Sequence, residues 1–132
     1  MINSTKIDKQ MINDKPLIDI NSSLELLNEI KKAAEELKAE DVIDLDLSNF
    51  SAFTDYLIVC HGTSSVHVNG IADKIYLSLK HMGVLPLGVE GKEESEWILM
   101  DYDNVVVHIF QEEQRKLYKI ESLYESSEIE KD

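Results

Sequence analysis

Positive charge is scarce in this chain. Its 132 residues include 13 Lys and Arg against 26 Asp and Glu, a net charge of −13. Arg115 is the single arginine. Nucleic-acid binders set clustered Lys and Arg against phosphates, so direct contact with RNA or DNA is not expected. The natural partner of such an acidic surface is the basic patch of another protein. Cysteine is nearly absent. Cys60 alone, in Leu57-Ile58-Val59-Cys60, excludes an internal disulfide and reads as a buried strand thiol of a reducing compartment. No apolar run approaches the ~18–20 residues of a membrane span. The first residues lack both a basic-then-apolar leader and an Arg-rich, acid-poor transit pattern. A cytoplasmic protein without membrane contact is the expectation. His61, His67, His81 and His108 have no metal-ligand spacing, so no metal and no cofactor are expected.

What is present is the composition of one globular domain, 43% apolar and 30% charged, long enough for a core without covalent staples. Residues 1–20 are polar, lack periodicity and read as a flexible extension, with Leu17 to Ile20 as the part that docks. Residues 21–125 form the domain, and 126–132 are an acidic tail. Ser22-Ser23-Leu24-Glu25 is a capping box, followed by a helix with Leu27, Ile30, Ala34 and Leu37 on one face. Asp41 to Leu47 alternates as a half-buried strand. Ser48 to Asp55 connects it to the next strand. Tyr56 to Cys60 is a central strand covered on both faces. Gly62-Thr63-Ser64-Ser65 caps a helix carrying Val68, Ile71, Ala72, Ile75, Leu79 and Met82, which ends at Gly83. Leu85 to Glu90 reads as an edge strand despite Pro86. Two further strands form a hairpin over Glu96 to Phe110, and a last helix over Glu112 to Tyr124 groups Leu117, Ile120 and Tyr124. The fold class is α/β (α+β), a mixed five-strand sheet flanked by helices.

Three features are candidates for chemistry. The Gly62 turn lies where backbone N–H groups can hold an anion, but it lacks the glycine spacing and lysine of a P-loop and reads first as a helix cap. Asp44/Asp46 and Asp101/Asp103 are Asp-x-Asp pairs. Either could share a metal in a nucleotidyl-transfer enzyme, yet the cations for a triphosphate are missing. The wet side of a strand and a turn are the simpler readings. Trp97, the single tryptophan, is different. Residues 90–103 hold six acids, Glu90, Glu93, Glu94, Glu96, Asp101 and Asp103, against Lys92. An apolar anchor ringed by one sign of charge suits docking onto a basic protein.

Several segments in order resemble the ribosomal silencing factor family, also called Iojap-like proteins. They are Ala39-Glu40-Asp41-Val42, Thr54 to Ser64, Ile71-Ala72-Asp73, Glu90-Gly91, Glu96 to Tyr102, Val105 to Phe110, Arg115, Tyr118 and Leu123, together spanning roughly 22–125. The chain departs from the family pattern at Val66, at Tyr124 and at the Asp103-Asn104 turn. The resemblance implies a nucleotidyltransferase-like fold without enzymatic activity. It also implies a translational repressor that binds the large ribosomal subunit through its basic protein fourteen and sterically blocks joining of the small subunit when nutrients are scarce. A role in large-subunit biogenesis is the second expectation. Relatives can dimerise, so a homodimer through an exposed strand edge is a further one. By resemblance, Trp97, Ile98, Leu99, Asp101 and Tyr102 face the ribosomal protein; Glu90 and Glu96 are added as acidic partners.

Overall fold

A computed structural model describes residues 22–50 and 53–124. The expected extension over 1–20 and the tail over 126–132 lie outside the described residues. Helix α1 (Ser23–Glu36) begins where the Ser22 hydroxyl accepts the Glu25 N–H at 3.3 Å, and it buries Leu26, Leu27, Ile30, Ala33 and Ala34. Strand β1 (Glu40–Asp46) runs antiparallel to β2 (Tyr56–Gly62), with the register shifting between Glu40 and Ile43. At that shift Asp41 takes a φ of 50°, the left-handed backbone of a bulge. Helix α2 (Ser65–His81) is capped by Ser64, whose hydroxyl accepts the His67 N–H at 3.1 Å. It ends at Gly83, φ 83°, as the left-handed exit requires. Strands β3 (Gly88–Glu90), β4 (Trp97–Asp101) and β5 (Val105–Gln111) complete the sheet.

The strand order is β1-β2-β5-β4-β3. Only the central β2/β5 pair is parallel; the other neighbours are antiparallel. The mixed five-strand sheet is the one expected from the sequence. Both long helices lie on one face. There Ile58 and Cys60 of β2, Val105, Val107 and Ile109 of β5, and Ile98 and Met100 of β4 form the main core against α1 and α2. A second, smaller cluster occupies the opposite face: Leu57, Val59 and Phe110 with Leu45, Trp97 and Val106, covered in part by Leu47, Phe50, Ile120 and Tyr124. Burial of Cys60 raises its thiol pKa to about 12, so the thiol is inert, as its strand setting suggests.

Two element boundaries differ from expectation. The edge strand starts at Gly88, not Leu85. Pro86 has no N–H for a ladder, and Leu85 and Leu87 stay exposed. The last helix, α3, stops at Tyr118 because Lys119 turns left-handed at φ 50°; a separate helical turn follows over 120–124. The break rotates the two turns apart. Ile120 and Tyr124 pack on the second cluster, whereas Leu117 is 73% exposed and Arg115 is buried.

Candidate docking surface

Side chains alternate along a strand, and β4 shows what that means for the proposed contact. Trp97, Leu99 and Asp101 point to the face that the long helices leave open, and Ile98 and Met100 point into the core. Ile98 is fully buried and belongs to the main core. Tyr102 is 5% exposed and belongs to the same core, with a hydroxyl that meets no protein partner. Both side chains, expected at the contact, are buried in the free protein. They hold the open-face residues in place from behind.

Cross-strand register assembles the open face. Glu90 pairs with Leu99, Leu99 with His108 and His108 with Val59, so one transverse row crosses β3, β4, β5 and β2. The next row carries Trp97, Phe110 and His61. Trp97 stacks on Phe110 at 5.0 Å between ring centroids, tilts against Tyr118 at 4.8 Å and against His108 at 5.8 Å. Its indole Nε1–H donates to His108 Nδ1 at 2.9 Å. Burial pushes the His108 pKa down to about 4, so the ring is neutral near pH 7 and its Nδ1 lone pair is free to accept. The tryptophan is half-buried, with its polar atom satisfied inside the protein.

Beside it Glu90, Gly91, Trp97 and Leu99 line a groove of about 250 Å³. The charge of the segment that carries this groove, residues 90–97, is one-sided. Lys92, the base of the segment, is paired with Asp73 on α2. Glu90, Glu93, Glu94 and Glu96 have no ion-pair partner among the described residues, and all are exposed. Asp101 is partly committed: its carboxylate accepts the Asp103 N–H at 2.8 Å and shapes the hairpin turn, where Asp103 has φ 74°.

The alternatives for chemistry find their side chains occupied. Asp44 pairs with Lys31 at 2.7 Å. Asp46 accepts both the N–H and the hydroxyl of Ser48, which lowers its pKa. In the Gly62 turn, the Thr63 N–H donates to His67 Nδ1 at 2.9 Å, and His67 Nε2 reaches the Leu37 carbonyl at 2.7 Å. That turn is a helix cap tied through His67 to the end of α1, and its Thr63 amide is used internally.

One residue that the sequence singles out, as the lone arginine and within the family resemblance, was given no role there. Arg115 is 5% exposed. Its Nη1 donates to the Asp41 carbonyl at 2.7 Å and to His61 Nδ1 at 2.9 Å, and its Nε donates to Glu121 at 3.2 Å. His61 Nε2 in turn meets Glu40 at 3.1 Å. The guanidinium therefore ties β1, β2, α3 and the 120–124 turn together, and with them the position of Tyr118 against Trp97. Its being the lone arginine of an acidic chain was the available signal.

The family described as "Ribosomal silencing factor during starvation" matches residues 20–132. The Ribosomal silencing factor RsfS of Bacillus subtilis is 36% identical over 92 residues, 70% of this chain and 78% of that protein. A crystal structure of a Chromobacterium violaceum protein superposes with a TM-score of 0.76 at 35% identity, covering 77% of this chain and 85% of that one. More distant is the Mitochondrial assembly of ribosomal large subunit protein 1 of Mus musculus, 28% identical over 89 residues, 65% of this chain and 39% of that protein. With matching spanning nearly the whole described domain, and the same sheet and helices in a solved structure, the chain belongs to the ribosomal silencing factor family.

Proposed function

We propose that this protein is a non-enzymatic repressor of translation. It docks on the large ribosomal subunit through its basic protein fourteen and keeps the small subunit from joining. The observation that carries this reading is the open-face groove: an apolar floor of Trp97 and Leu99 beside Glu90, with Glu96 next to Trp97 in the chain, two acids without ion-pair partners among the described residues. Uncompensated acids beside a rigid aromatic fit a basic protein surface, where the aromatic supplies buried area and the acids supply register and encounter rate. An arginine or lysine stem lying over the indole, with its head at Glu90, matches the shape and the charge. Asp101 contributes from the same face; Ile98 and Tyr102 act only as support.

The test is a sedimentation gradient of purified protein with mature large and small subunits. Co-migration with the large subunit and loss of joined ribosomes supports the reading. Joined ribosomes at undiminished level, with the protein bound, refute the blocking step. That outcome favours a second reading, an escort of immature large subunits, which the name of the mouse relative supports. A nucleotidyl-transfer activity has little support, since Asp44, Asp46 and Asp101 are each committed to other contacts. Self-pairing through a sheet edge is also weakly supported: β3 has three residues, and β1 carries Asp41, Asp44 and Asp46. No helix among the described residues is long and apolar enough to cross a membrane, and we place the activity in the cytoplasm.

A further inference from the structure

We infer that His108 is the positioning residue of the docking surface: by accepting the indole N–H it locks Trp97 flat against the sheet and makes the surface selective for an apolar or cationic contact. The inference rests on the docking reading above. The geometry has three parts. The indole Nε1–H to His108 Nδ1 bond is 2.9 Å. Phe110 and Tyr118 hold the ring from other sides at 5.0 and 4.8 Å. His108 is itself fixed, 8% exposed on a central strand between Leu99 and Val59.

A half-buried tryptophan without such a partner has to turn its N–H toward water or toward an acceptor on whatever binds it. Here the donor is already used, so an acceptor on the partner gains nothing from this ring. What the ring offers is its π-face and its edge, beside the Glu90 carboxylate. The lock also removes rotamer freedom before binding. Ordering a free side chain at an interface costs affinity, and a ring held in advance avoids that cost.

Trp97 is the sole tryptophan, so fluorescence anisotropy decay of the free protein reports this ring alone. In His108→Asn, the Oδ1 atom lies as many bonds from Cβ as Nδ1 and keeps an acceptor. In His108→Leu, of similar size, the acceptor is lost. Circular dichroism and urea unfolding establish that each variant is folded. The expected result is fast indole motion and a roughly tenfold weaker affinity for large subunits in His108→Leu, the scale of one hydrogen bond, with both restored in His108→Asn. Wild-type indole motion in His108→Leu overturns the lock. Equal losses in the folded Leu and Asn variants also overturn it, since shape and not the acceptor would then be responsible. If Trp97→Ala keeps full affinity while His108→Leu still frees the ring, the lock stands as a feature of the free protein and the docking reading fails, and with it the selectivity assigned to His108.

Discussion

The carbonyl oxygen of Trp97 occupies the space that a side chain on Gly91 would need. A Cβ built there would fall well inside van der Waals contact with it, and Gly91 has φ +91°. The turn from β3 into β4 can therefore pass behind the tryptophan only with glycine, and the groove between Glu90 and Leu99 depends on that close approach.

Gly91→Ala is accordingly expected to destabilise the protein by more than about 2 kcal/mol, since it combines a disallowed backbone angle with a clash against backbone. Urea denaturation measures the loss, and indole emission reports whether Trp97 has moved. An alanine variant of wild-type stability with unchanged emission would contradict the close approach.

Trp97→Ala should leave the main core intact, because the ring lies on the face away from α1 and α2. Truncating an aromatic anchor at the centre of an interface often costs ~2 kcal/mol or more of binding. Sedimentation with large subunits should show at least a thirtyfold-range loss, about 2 kcal/mol at ~1.4 kcal/mol per decade. Ile98→Ala should behave in the opposite way. It opens a cavity under α2 and lowers stability by about 2–5 kcal/mol, and affinity changes only to the extent that the fold does.

His108 has a folded pKa of about 4 against the ordinary 6.5, with burial as the cause. Between those values the unfolded chain takes up a proton that the native chain refuses. Stability therefore falls as pH drops from 6.5 toward 4, by up to roughly 3 kcal/mol from this group, and the contribution levels off below pH 4. Urea midpoints at pH 7 and pH 4.5, compared between wild type and His108→Asn, isolate the effect. Parallel pH dependence in the two proteins would assign the slope to other groups.

Arg115→Ala leaves the Asp41 carbonyl and Glu121 without their cation. Removing one partner of a buried pair costs about 3–5 kcal/mol. Arg115→Lys should recover only part of this, because a point charge cannot serve carbonyl, imidazole and carboxylate in a planar fork. Thermal unfolding of the three proteins ranks them; equal midpoints for Arg and Lys would argue against the fork.

The association rate with large subunits should fall as salt rises, since exposed charges are screened over ~8 Å at physiological ionic strength. A Glu90→Gln, Glu96→Gln double variant should flatten that dependence while leaving dissociation nearly unchanged. Stopped-flow indole fluorescence at several salt concentrations separates the two rates.

Much of this was legible without coordinates, for local reasons. Ser22 and Ser64 cap helices because a hydroxyl sits one step before an apolar 3.6-residue period. Tyr56 to Cys60 reads as central because the run is continuously apolar rather than alternating. Other features were hidden for equally physical reasons. Lys119 in a left-handed conformation is not a residue-type preference, so the break of the last helix and the exposure of Leu117 were not visible. Arg115 is buried because a carbonyl more than seventy residues away converges on it, in strand β1. The pairing of Trp97 with His108 depends on β4/β5 register, which places them diagonally across the two strands.

Composition and pattern alone determined that this is a mixed α/β domain with a net charge of −13 and Trp97 as its single tryptophan. Those properties are sums or periods along the chain, and they survive any arrangement of the elements. Which side of β4 the helices leave uncovered was decided only by tertiary structure. Period-two alternation separates Trp97 and Leu99 from Ile98 and Met100, but it does not say which pair the helices will cover. Packing of α1 and α2 on one face of the sheet settled that, and it turned Ile98 and Tyr102 into core while leaving Trp97, Leu99 and Glu90 at a groove.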